Sequence, residues 1–187
     1  MKNSFETITL DKKGITDFAE ERNKLLEKTK SEWVMFLDSD EKISNFQFPI
    51  SNEFTSYQFT RKNYFLNQYV GEDKIIRLVK KGTGRWERRV HETWKSTGGK
   101  VGTLKTPIIH NTADNLHDYI DKINFYSDLH AKANRQEDKR SDLIKIVFYP
   151  IGKFITTLVK SKNIVFSIMQ SLHSFLSWSK QWQSQNV

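Results

Sequence analysis

The sequence contains no cysteine, which excludes disulfides, thiolate metal sites and cysteine nucleophiles and leaves carboxylates and histidines to carry any chemistry. It also lacks a hydrophobic run fit to span a membrane. The two apolar pieces near the C-terminus are 143–159, broken by Pro150, Gly152 and Lys153, and 163–178, interrupted by serines, Gln170 and His173; neither offers the ~18 predominantly apolar residues a spanning helix needs. The opening MKNSFETITLDKKG has no apolar stretch followed by a small-residue cleavage site, so it does not read as a secretory signal, and a cytoplasmic location is expected. No internal repeat or low-complexity segment is visible.

What is present is enough for one compact core plus an appendage: 187 residues, 37% hydrophobic and 13% aromatic. The net charge of +8 is unevenly spread, because residues 143–187 hold Lys145, Lys153, Lys160, Lys162 and Lys180 and neither Asp nor Glu. A basic, apolar segment suits an anionic bilayer surface, whereas nucleic-acid binders carry dense Arg/Lys clusters on a polar scaffold, so no nucleic-acid partner is expected. Within the second piece Ile164, Ile168, Leu172, Phe175 and Leu176 share one helical face, the pattern of an interfacial amphipathic helix; a helix packed on the globular core is the plainer alternative. The chain is therefore read as a domain over 1–134, a charged hinge at 135–142 (RQEDKRSD) and a membrane-associating tail over 143–187, peripheral to the inner face of the cell membrane.

Local patterning points to an α/β fold. Asp17 with Glu20 three residues on has the form of a helix N-cap, and Phe18, Arg22, Leu25 and Thr29 recur at helical spacing. The helix over 17–30 feeds Trp33-Val34-Met35-Phe36-Leu37, a continuous apolar run stopping at Asp38, as a strand covered on both faces would. Together these make half of a βαβ unit. Residues 57–66 and 74–80 are β-prone and bounded by glycines at 71, 82 and 84, extending the sheet in a mixed or antiparallel sense. A turn about Gly98, Gly99 and Gly102 precedes Thr106-Pro107-Ile108-Ile109-His110, and 115–134 returns to helical spacing.

Chemistry concentrates in two places. Asp38-Ser39-Asp40-Glu41 sets carboxylates directly after the buried strand, where ligands bind in open α/β sheets. Asp38 and Asp40, as alternate residues, can face one crevice and hold Mg²⁺ or Mn²⁺ against a diphosphate; a solvated acidic turn is the plainer reading. The second place is Trp86-Glu87-Arg88-Arg89-Val90-His91-Glu92-Thr93-Trp94. Here a carboxylate beside an imidazole can act as general base and the tryptophans can form platforms for sugar rings, or the segment is a surface strand of alternating charge. His110 by itself reads as a structural histidine, though imidazole joins carboxylates at many metal sites. Aspartyl-phosphate hydrolases of the HAD class also place D-x-D after a strand. Here Glu41 and Lys42 follow where Thr or Val is usual, and no later acidic pair follows an apolar strand in 100–187.

These pieces in this order resemble family 2 glycosyltransferases, particularly the lipopolysaccharide-core and envelope-glycan branch. Phe18-Ala19-x-x-Arg22-Asn23, Trp33 to Glu41, Arg61-x-Asn63-x-Phe65-Leu66, Gly71-x-Asp73-x-x-x-Arg77-Leu78, Val90-His91-Glu92, Pro107 to His110 and Tyr119-Ile120-x-Lys122-Ile123-Asn124-x-Tyr126-Ser127 carry the resemblance, over about 17–182. It implies a partial GT-A (Rossmann-like) fold with a C-terminal amphipathic helical tail. The substrates it implies are a nucleotide-sugar donor and a glycan or lipid-linked acceptor. By the same resemblance Asp40 binds Mg²⁺ or Mn²⁺, Asp38 lies near the ribose or the metal, and His110 near the metal or diphosphate. Arg22 and Asn23 lie near the nucleotide, Glu92 with His91 takes the acid/base place, and Arg77 and Arg89 meet phosphate or acceptor charge. Members of the branch carry a nucleotide-contacting strand, loop and further βα units before the Arg-Asn helix, while sixteen residues precede Asp17 here. An N-terminally truncated chain, lacking the first strands or completed by a separate N-terminal half, is the expectation. A non-catalytic membrane-associated remnant is the alternative.

Overall fold

The computed structural model describes residues 5–11, 14–47 and 53–186. Its centre is strand β2 (Trp33–Asp38), buried at all six positions. Alternation sends Trp33, Met35 and Leu37 to one face, where they meet Tyr57, Phe59, Leu78, Leu104 and Ile108. Val34 and Phe36 go to the other face and meet Leu10, Leu26, Val79, Trp86 and Trp94. The unbroken apolar run thus reflects two covered faces, as strand patterning requires.

Strand β1 (Glu6–Leu10) pairs with β2 in parallel, from Glu6 opposite Val34 to Leu10 opposite Asp38. Helix α1 (Phe18–Lys28) is the crossover between them, its first turn capped by the Asp17 side chain, which accepts the Glu20 N–H at 2.9 Å. The βαβ unit read by half from the sequence is therefore complete. The short run ETITL conceals its strand character because, at the edge of the sheet, it turns only Ile8 and Leu10 inward. The remaining strands are β3 (Glu41–Ile43), β4 (Phe54–Phe65), β5 (Gln68–Lys80) and β8 (Lys100–Ala113), and the sheet order is β1-β2-β5-β4-β8-β3. β5 lies antiparallel to β2 and β3 antiparallel to β8, so the sheet is mixed, as expected.

Strands β6 (Gly84–Glu87) and β7 (Thr93–Ser96) form a separate two-stranded ribbon with Trp86 opposite Trp94. Gly84 is required there. A Cβ on it would come within 2.4 Å of the Lys95 carbonyl and 2.7 Å of the Trp94 ring.

The chain divides into two compact units. The first runs to Lys62 and resumes from Glu72 to His110; the second comprises Asn63–Gly71 and the chain from Asn111 onward. In the second unit lie helices α2 (Leu116–Gln136), α3 (Leu143–Ser161) and α4 (Ile164–Asn186). α4 packs against both α2 and α3. Its Phe166, Met169 and Leu172 lie against Phe65, Val70, Tyr119 and Ile123. Pro150, expected to interrupt the first apolar piece, is instead buried within a continuous α3. Its carbonyl accepts the Ser171 hydroxyl at 2.9 Å, so packing on α4 offsets the helix bond that proline cannot make.

Candidate functional site

Where β2 ends, the chain leaves the core with Asp38, whose carboxylate is gripped from two sides. Arg22, on the buried face of α1, donates from Nη2 to Asp38 Oδ1 at 2.6 Å, and Arg77, on β5, donates from Nη2 to Oδ2 at 3.0 Å. Arg77 also forks onto Glu41, from Nε to Oε2 at 2.8 Å and from Nη2 to Oε1 at 2.7 Å. Glu41 Oε2 in turn accepts the Asp38 backbone N–H at 3.2 Å. Arg61 on β4 reaches Glu41 Oε1 at 3.1 Å and holds Asp73 through two nitrogens at 3.0 and 2.7 Å. Burial alone would push the Arg77 guanidinium pKa down; the charges of Asp38, Glu41 and Glu92 outweigh it and leave that pKa raised. Such a charge cluster survives away from water because nearly every polar atom has a charged partner in hydrogen-bonding geometry.

Glu92 joins this cluster from the loop between β6 and β7. Arg22 contacts its Oε1 through Nε at 2.9 Å and Nη2 at 2.8 Å, and Arg77 Nη1 stands 3.9 Å from the same oxygen. Arg22 is fully buried. Its guanidinium carbon lies 5.5 Å from the Phe36 ring and 5.1 Å from the Trp86 ring, a cation–π arrangement that suits the planar ion. Its Nη1 is buried with no hydrogen-bond partner among the described residues.

Asp40 turns elsewhere. Its Oδ2 lies 3.4 Å from His110 Nε2. The β3–β8 pairing accounts for this by setting Glu41 directly opposite His110. Asp40 is partly exposed and His110 buried. Among the described residues no group of three or more His, Asp or Glu side chains is gathered as a metal site. Asp40 can still serve Mg²⁺ or Mn²⁺, which bind through one or two protein carboxylates and draw the rest from phosphate oxygens and water, and the His110 imidazole suits Mn²⁺ as a donor better than Mg²⁺.

The other sequence-predicted residues are placed as follows. Asn23 is spent on the backbone of Trp86, donating from Nδ2 to its carbonyl and accepting its N–H, both at 2.9 Å. Arg89 is exposed; its Nε lies 3.2 Å from Asp17 Oδ2 and its carbonyl accepts the Phe18 N–H at 3.0 Å. His91 is exposed, with a left-handed φ of 55°. Asp38, Arg22, Arg77 and Glu92 are thus brought together, Asp40 and His110 form their own pair, Asn23 and Arg89 tie α1 to β6 and the loop after it, and His91 stands exposed in that loop. Trp86 and Trp94 are 3% and 7% exposed and stack edge-on at 5.5 Å, so these two rings are core, with no face left for a sugar. The sequence reading gave no role to Arg61 or Glu41. The signal was available: a charge set inside an apolar β-run, as in Ile75-Ile76-Arg77-Leu78-Val79, needs a buried counter-ion.

No family model matches the chain. A curated relative does, at 23% identity over 188 residues, covering 89% of this chain and 69% of the relative. The likeness is to a glycosyltransferase. That protein is the lipopolysaccharide core biosynthesis glycosyltransferase LpsC of Rhizobium meliloti (strain 1021). With 89% of the chain covered, a continuous match leaves out too few residues to miss the stretch from Asp38 to His110. The mixed α/β architecture is compatible with a Rossmann-like glycosyltransferase fold.

Proposed function

We propose that this chain is a family 2 glycosyltransferase of GT-A type that moves a sugar, with inversion, from a nucleotide-sugar to a glycan or lipid-linked acceptor of the cell envelope. The observation that carries the proposal is the division of labour after β2. Asp38 and Glu41 are bound to arginines, while Asp40 is turned to His110, which leaves one carboxylate–imidazole pair beside a rigid, charge-balanced floor. The likeness to LpsC, named a glycosyltransferase of lipopolysaccharide core biosynthesis, supports sugar transfer to an envelope glycan.

In this reading Asp40 and His110 hold Mg²⁺ or Mn²⁺, which when bound neutralises diphosphate charge. The protein's own residues do the rest. Glu92 is the base. Its arginine contacts fall on Oε1, so Oε2 takes the proton of the acceptor hydroxyl as that oxygen bonds to the anomeric carbon and the bond to the nucleoside diphosphate breaks. Arg22 and Arg77 fix the Glu92 carboxylate through Oε1 and so set the direction of Oε2. Positioning of this kind supplies a large part of the rate in a displacement reaction. Arg89 and His91, exposed beside Glu92 in sequence, face the acceptor. Asn23 acts at one remove by tying Trp86, and with it the Glu92 loop, to α1.

A second reading, a non-catalytic chain that binds glycan or needs a separate N-terminal half, is favoured by one observation. Asp38, Glu41 and Glu92 are already paired with Arg22, Arg77 and Arg61, a use of these carboxylates that requires no substrate. The deciding experiment is nucleoside diphosphate release from a panel of nucleotide-sugars with Mn²⁺ and an envelope-glycan acceptor. It is run with and without the N-terminal half of a full-length glycosyltransferase supplied in trans. The transferase reading expects release that falls by about 10²-fold or more in Glu92→Gln, the scale of general-base catalysis. No release in any combination would establish the second reading in its place.

A further inference from the structure

Helix α3 carries a bare apolar stripe. Ile144, Val147, Phe148, Ile151, Ile155 and Val159 are between 51% and 74% exposed, and their spacing of three and four residues places them on one side of the helix. The adjoining side meets α4, through the buried Pro150 and the Tyr149 ring set edge-on to Trp178 at 5.1 Å. Isolated exposed apolar residues are ordinary, but a continuous row along a whole helix marks a docking surface. Sequence reading had placed the interfacial face on 163–178. Of the face expected there, Leu172 packs on the cluster around Phe65 and Tyr119 while Ile164, Ile168 and Phe175 are exposed, so α4 is covered in part and α3 carries the longer bare row.

We propose that the α3 stripe docks on an anionic lipid bilayer, the helix lying in the plane of the headgroup boundary. Charge complementarity selects this occupant. Lys145, Lys153 and Lys160 lie on α3 and Lys162 caps it, and residues 143–187 contain no Asp or Glu. Lysine stems lie along apolar surface while their ammonium groups reach anionic headgroups. Lys145 Nζ sits 5.4 Å from the Trp178 ring centre, grouping a cation and aromatics of the kind that settle at headgroup depth. A second copy of this chain docked through α3 would set these lysines against their own counterparts with no acid on α3 or α4 to pair them. Spanning does not suit the helix either: no described helix is long and apolar enough to cross a membrane. The proposal rests on α3 alone and is independent of the transferase reading.

The absence of cysteine allows a direct test with the full chain. Single cysteines at Ile151, in the stripe, and at Thr156, outside it, are labelled with an environment-sensitive fluorophore and mixed with phosphatidylcholine vesicles with or without phosphatidylglycerol. The expected result is flotation with the anionic vesicles, quenching of the Ile151→Cys label by brominated acyl chains, and little quenching at Thr156→Cys. Lys145→Gln and Lys153→Gln should each weaken partitioning by about fivefold, the value of one lysine near such a surface. The pair Phe148→Glu and Ile151→Glu should abolish flotation while leaving helicity and melting unchanged, because both side chains are exposed. The proposal is overturned by failure to float, by flotation indifferent to the glutamates, or by a lipid-independent dimer that buries the Ile151→Cys label.

Discussion

Arg77 forks onto Glu41 with two guanidinium nitrogens, at 2.8 and 2.7 Å, and both side chains are sealed from water. The same guanidinium spans to Asp38 and approaches Glu92, so one side chain bridges the carboxylates at the end of β2 and at the end of the β6–β7 loop. Replacing Arg77 by Met keeps the bulk and removes the charge. Buried Glu41 and Asp38 then lose a counter-ion, and stability should fall by about 3–5 kcal/mol in denaturant unfolding. Arg77→Lys should recover little of this, since an ammonium cannot reproduce the planar fork.

Much of the fold was legible because the first unit obeys local rules. The Asp17 cap, the α1 spacing and the unbroken run of β2 each have one simple physical cause, and each falls where the patterns place it. β1 was hidden because an edge strand turns inward at only two positions, and α3 because its proline is tolerated through packing against the next helix, where Ser171 meets the Pro150 carbonyl. At the candidate site, sequence brought forward Asp38, Asp40, Glu92, Arg22 and Arg77 but not the contacts among them. Asp38 and Asp40, two residues apart, diverge because β3 pairing draws Asp40 toward His110 while α1 and β5 supply the cations for Asp38. Contacts such as Arg22 with Glu92, seventy residues apart, leave no periodic trace. The tryptophans show the same limit: flanking His91 and Glu92, they read as binding platforms, and only the packing of Trp86 on Phe36 and of Trp94 on Trp86 shows them to be core.

The two carboxylates following Asp38 should separate cleanly in function. Asp40→Asn should weaken Mn²⁺ binding, in the presence of a nucleoside diphosphate, by roughly tenfold or more, equivalent to about 1.4 kcal/mol, since on the proposed reading it removes one of two protein donors. Glu41→Gln should leave Mn²⁺ affinity nearly intact and instead lower the melting temperature, because its oxygens serve Arg77 and Arg61. Calorimetric titration and thermal unfolding of both variants check the pair of outcomes; equal losses of affinity would remove Asp40 from the metal site.

Asn23 makes a different kind of contribution. Its amide satisfies both backbone groups of Trp86, so Asn23→Ala leaves two buried backbone groups without a partner and should cost about 1–3 kcal/mol of stability. If the loop carrying Glu92 is positioned through this clip, turnover number should fall while donor KM changes little. A residue that touched the nucleotide would instead raise KM, and steady-state kinetics on the folded variant distinguish the two.

In the second unit, Tyr119 provides a titration probe. Burial pushes its phenol up to about 12, against a smaller lowering by the Gln170 Nε2 hydrogen bond at 2.7 Å. Because the folded pKa lies above the ordinary value of about 10, the neutral phenol's contribution to stability is fully present below about pH 10 and is lost as pH rises through about 12. Ultraviolet titration should therefore show a late phenolate step, and Tyr119→Phe should remove it. The same variant should be less stable at neutral pH by about 1 kcal/mol, for loss of the hydrogen bond to Gln170, yet its stability should decline less steeply between pH 10 and 12. A late step that persists in Tyr119→Phe would assign it to Tyr57, whose phenol is also raised by burial, and would place Tyr119 in contact with water.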